Sequence, residues 1–149
     1  MAYRYRAWWR AGSLILILAA DHVGRGLAAE VVVDPGGLTA APATAFPGDT
    51  VTWTVVGPPG AMAAVVWSRA GCCTSFEGVP LAVGPDWQPL AVAPITSQGR
   101  MNFSLRVPDS VLPGRFFFQA ATIEGSRVRL TNGAAITVQM RPGSRGGYY

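Results

Sequence analysis

Residues 50–56 read Thr50-Val-Thr-Trp-Thr-Val-Val56, entered through Pro47-Gly-Asp49 and left through Gly57-Pro-Pro-Gly60. Val51, Trp53 and Val55 fall on one side and the threonines on the other. That is the period-two pattern of a strand with one buried face. Proline and glycine on both flanks end the segment at strand length, too short for a helix.

Outward from this strand, similar segments recur between Gly and Pro signals. Glu30-Val-Val-Val33 runs into the turn Asp34-Pro-Gly-Gly37. Ala61–Ser68 is apolar on both faces, which predicts a strand covered on both sides. Residues 70–88 hold the cysteines and read as a long connection to a strand near Pro89–Thr96. In Arg100–Val107, Met101, Phe103, Leu105 and Val107 alternate with polar residues. Pro108–Gly114 makes a corner, and Arg115–Ile123 is the most aromatic strand. Gly125-Ser126 and Asn132-Gly133 then separate two final strands near 127–131 and 134–140. Residues 141–149 read as a flexible tail. Seven or eight short strands in about 110 residues predict an all-β sandwich.

From Pro47 to Met140 the chain resembles the immunoglobulin-like modules of secreted bacterial proteins. The resemblance rests on Pro47-Gly-Asp-Thr-Val-Thr-Trp53, on Val107-Pro108 before the Pro113-Gly114 corner, on Phe116–Ala120, and on Leu130-Thr-Asn132. It implies a Greek-key sandwich with Trp67 as the central tryptophan, and it specifies architecture rather than activity. It also implies departures. Antibody-type domains join their sheets by a disulfide, whereas Cys72 and Cys73 are adjacent. Phe116 stands where such folds often carry a corner tyrosine. The Pro47–Trp53 segment is similar to a cupredoxin strand as well, but a blue-copper centre needs two imidazoles and a thiolate.

The N-terminus reads as a secretory signal peptide over residues 1–29. Arg4, Arg6 and Arg10 precede the apolar run Ser13–Ala20, and Leu27-Ala28-Ala29 offers small residues before Glu30. The expected location is secreted, periplasmic or cell-surface. An apolar run of about ten residues falls short of the roughly 20 needed to span a bilayer, so any membrane link is indirect or through a retained N-terminal anchor.

The net charge of +4 is concentrated in that segment. From Glu30 onward eight arginines face seven acids, leaving +1, which disfavours a nucleic-acid partner. There is no lysine, and the only histidine is His22. A chain starting at Glu30 therefore lacks the residues for a Ser-His or Cys-His pair, a lysine Schiff base, or a His/Cys zinc site. The expected protein is not an enzyme and carries no cofactor or metal. Turn chemistry accounts for Asp34, Asp49, Asp86 and Asp109 more simply than calcium does.

Three features remain as candidate sites. In an oxidising compartment Cys72 and Cys73 are expected to bond to each other, with pairing to another chain or free thiols as alternatives. Trp87, in Val83-Gly-Pro-Asp-Trp-Gln-Pro89, is either a platform for a sugar ring or a plug over the sandwich. If Trp67 points inward, Met62 and Val66 point outward, and Phe117 does so on the neighbouring strand. Met62, Val66 and Phe117 are then expected to form an apolar partner-binding face, unless residues 70–88 or the tail fold over it. The leading expectation is a protein-interaction module, an accessory or structural subunit of a cell-envelope or extracellular assembly. The alternative is a carbohydrate-binding module using Trp87, with polysaccharide as its partner.

Overall fold

A computed structural model describes residues 30–143 apart from Pro35. The expected signal peptide (1–29) and residues 144–149 of the expected tail lie outside the described residues. Arg141, at the start of that tail, is anchored: its guanidinium reaches the Asp49 carboxylate at 3.2 Å.

The described residues form eleven strands. These are β1 (Glu30–Asp34), β2 (Leu38–Ala41), β3 (Thr44–Ala45), β4 (Thr50–Val56), β5 (Met62–Ser68), β6 (Ser75–Phe76), β7 (Val79–Pro80), β8 (Gln88–Pro94), β9 (Arg100–Arg106), β10 (Gly114–Glu124) and β11 (Arg127–Val138). Among the described residues no helix is long and apolar enough to cross a membrane.

The strands build two facing sheets. The larger has the order β1-β11-β10-β5-β8, with β3 beside β11, and the smaller has the order β2-β4-β9. Successive strands β4 and β5 change sheets, as do β8 and β9, and β9 and β10. That is the strand order of an immunoglobulin-like Greek-key sandwich, and eight of its strands are four residues or longer.

The main core lies between the sheets. Val51, Trp53 and Val55 of β4 meet Ala63 and Val65 of β5, Phe118 and Ala120 of β10, and Ile136 and Val138 of β11. Trp53 stacks on Phe103 with ring centroids 5.0 Å apart, and its other neighbour Phe118 is tilted at 5.1 Å. The outer face of the small sheet is polar, with Thr52 and Ser104 sharing a hydrogen bond.

The last two strands differ from expectation. Asn132-Gly133 is not a turn: β11 runs through it as a bulge, in which Gln119 pairs with Gly133 but Ala121 with Leu130. The extra residue reverses which face the even-numbered side chains take. Val128 and Leu130 therefore pack outside the large sheet, while Ile136 and Val138 pack inside. The bulge is fixed by Asn132, whose Oδ1 accepts from the N–H groups of Gly36 and Leu38 and whose Nδ2 donates to the Leu38 carbonyl.

A second core occupies the outer face of the large sheet. The connection 70–88 contains the hairpin β6–β7 and folds back over β5 and β10. Its turn, Glu77-Gly78, has both residues at positive φ (47° and 77°), as a type I′ turn requires. Phe76, Leu81 and Val83 from this segment bury Val66, Ala121, Ile123 and Leu130. This is why Ala61–Ser68 is apolar on both faces.

Candidate functional site

The partner-binding face expected from Met62, Val66 and Phe117 is where the alternation put it, on the outside of the large sheet, but it is not open. Val66 is 1% exposed, and Met62 and Phe117 are half-buried. Three hydrogen bonds pin the cover in place. The Gln119 Oε1 accepts from the Ala82 N–H at 2.7 Å, and the Ser68 hydroxyl accepts from the Gly84 N–H at 2.9 Å. Asp86 accepts from the Arg69 N–H at 3.2 Å. A side chain at Gly71 would place its Cβ 2.7 Å from the Phe117 ring, so the close approach of loop to ring requires glycine there. The polar anchors Ser68 and Gln119 escaped sequence reasoning, because a buried polar group on a strand looks like any outward-facing one.

Cys72 and Cys73 are bonded to each other and exposed, two residues from the Gly71–Phe117 contact. Trp87 is half-buried against the second core, and its backbone N–H donates to the Gly84 carbonyl. Part of Trp87 therefore packs against the second core and part remains accessible. Three aspartates have structural partners. Asp49 accepts from the Phe46 N–H, Asp86 holds Arg69, and Asp109 lies 3.7 Å from Arg106. Among the described residues no cluster of three His, Cys, Asp or Glu side chains could hold a metal ion.

The feature that sequence patterning did not bring forward is a cleft between the two sheets at one end of the sandwich. The small sheet has three strands and the large one is wider, and Trp67 of β5 and Leu90 of β8, both partly buried, line the cleft. The cleft encloses about 380 Å³. It runs from Leu105 and Val111 at its mouth past Trp53 and Phe116 to Ile136 and Val138 in the core. All but one of its thirteen lining residues are apolar; the exception is Arg106. The alternation of β9 does point Leu105 inward, yet Leu105 is 44% exposed, on the edge strand of the small sheet. Leu112, beside Val111, is 73% exposed. Arg69 adds a second guanidinium to this end, 4.2 Å over the ring of Phe116.

No protein-family model matches the chain, and no curated protein matches it. Among solved structures it is similar to the sulfur carrier protein SoxY from Chlorobium limicola f thiosulfatophilum, at 14% identity over 87% of this chain and 98% of that one, with a TM-score of 0.46. It is similar also to Salmonella alpha-2-macroglobulin, at 13% identity over 68% of this chain and 9% of that one, with a TM-score of 0.45. An LPMO from Kitasatospora papulosa follows at 18% identity over 65% of this chain and 50% of that one, with a TM-score of 0.36. Likenesses this distant transfer no activity, and the functional reading rests on the residues of this chain.

Proposed function

We propose that the protein is a secreted, non-catalytic interaction module, an accessory or structural subunit of a cell-envelope or extracellular assembly, and that its binding element is the inter-sheet cleft. The observation that carries this reading is an apolar cleft open to solvent with exposed Leu105 in its lining. Apolar pockets with one or two convergent polar groups are the usual form of a binding site. Export rests on the arginine-then-apolar pattern of residues 1–29. The non-catalytic reading is supported by the dispersal of the acids, three of which hold structural partners, and by the absence of histidine and lysine after Glu30. The carbohydrate reading is less favoured, since a sugar needs a free aromatic face and Trp87 is partly packed against the second core.

The test is retention of partners from the native envelope fraction by the full chain and by Leu105→Asp, compared by quantitative mass spectrometry. A carboxylate at the mouth of an apolar cleft should release whatever the cleft holds while leaving the fold intact, because Leu105 is half in solvent. Partners retained equally by both proteins remove the cleft from the account.

A further inference from the structure

We propose that the cleft takes the acyl chain of a long-chain carboxylate, with Arg106 at the mouth holding the carboxylate. This rests on the cleft being the binding element, and it names the chemistry of its occupant.

Shape is the first argument. A cavity of about 380 Å³ falls in the range of small-molecule sites, roughly 300–1,000 Å³. Its lining extends from exposed Leu105 to buried Val51 and Ile136, so an aliphatic chain laid along it meets apolar side chains. Lining is the second. Apart from Arg106 the side-chain donors in the lining are the indoles of Trp53 and Trp67, and the Trp53 Nε1 is buried without a partner, so a sugar or nucleotide would bury most of its hydroxyls unpaired. Methylenes lose nothing there.

Charge is the third argument. Arg106 is 67% exposed at the mouth; its Nε donates to the Gly48 carbonyl at 3.3 Å, and one terminal nitrogen lies 3.7 Å from Asp109. A guanidinium carries five donor hydrogens, so these contacts leave donors for a carboxylate. Arg69, over Phe116 at the same end, adds a second guanidinium, with Asp86 on its backbone N–H and Asp109 beside Arg106. An anionic head outside and an aliphatic tail inside match that arrangement.

The experiment is calorimetric titration of the full chain with octanoate, decanoate, dodecanoate and tetradecanoate below their micelle concentrations. Each buried methylene should tighten Kd about fourfold until the chain outgrows the cleft, after which affinity levels off. Methyl decanoate should bind about two- to fivefold more weakly than decanoate, the size of an exposed ion pair, and Arg106→Gln should erase that difference. Leu105→Asp should abolish binding. If that variant loses its native circular dichroism, Val111→Glu in the loop replaces it. No binding by any carboxylate, affinity independent of chain length, or unchanged binding by the mouth variant overturns the proposal. A preference for decanoate over its methyl ester that survives in Arg106→Gln overturns the role of Arg106. If the mouth variant releases native partners while no carboxylate binds the wild type, the interaction reading stands and the acyl occupant falls. Carboxylate binding without any effect of the variant on partners gives the reverse.

Discussion

Replacing Gln119 by alanine tests whether the connection 70–88 is fastened to the sheet or merely rests on it. Gln119 is 6% exposed and bonds in two directions: it accepts from the Ala82 N–H at 2.7 Å and donates to the Thr131 carbonyl at 2.8 Å. Alanine removes both bonds. The Thr131 carbonyl is buried and stays without its partner, and an unsatisfied buried group costs about 1–3 kcal/mol. The Ala82 N–H is only partly buried and recovers some hydration, so its loss is nearer the low end. Together the change should cost about 2–4 kcal/mol. At a urea m-value of about 1–3 kcal/mol/M for a small protein, the midpoint should fall by about 0.7–4 M. Gln119→Met, which keeps the volume but not the bonds, should recover little of that loss. Trypsin supplies a local readout, because Arg69 lies at the start of the cover and is exposed. Cleavage there should quicken in the variant at urea concentrations where the remainder is still folded. A midpoint shift worth under about 0.5 kcal/mol, the scale of a neutral surface change, would refute the fastening.

Phe117→Ser should lower stability by about 2 kcal/mol in the same titration, less than a fully buried phenylalanine because the ring is half-exposed, and should leave partner retention unchanged in the folded protein. Full stability with lost partners would instead return the binding site to the outer face. Cys72 and Cys73 should show no free thiol on titration of the unfolded, unreduced protein, and no covalent dimer on non-reducing electrophoresis. A dimer that disappears in Cys73→Ser would show that the bond joins two chains.

The fold was legible wherever a strand has one wet face. Thr50–Val56 and Arg100–Val107 alternate because water lies on one side and the core on the other, and both strands sit where the pattern put them. Two places were less legible, each for a physical reason. At Asn132-Gly133 the residues that favour a tight turn also favour a bulge, and only the three bonds from Asn132 to Gly36 and Leu38, far away in sequence, select the bulge. Leu38–Ala41 has too little alternation to announce a strand; it is one because it pairs with β4. The outer face was assigned correctly by parity, but its cover depended on whether residues 70–88 bring enough apolar surface back to the sheet. Phe76, Leu81 and Val83 do so, spaced by a hairpin that two-residue strands barely signal. The cleft left no trace in any single segment. It lies between two sheets of unequal width, and Leu105 reads as core until its place on the edge strand of the small sheet is known.

The central claim, that contact is made at the cleft and not on the covered outer face, can be measured with a photo-reactive benzoylphenylalanine placed at Leu112 or at Glu77 in otherwise unaltered full-length protein. Leu112 is 73% exposed beside the mouth, and Glu77 is exposed at the tip of the covering hairpin. Irradiation in the native envelope should give a discrete crosslinked product from position 112 and none from position 77. A product from position 77 alone would contradict the account.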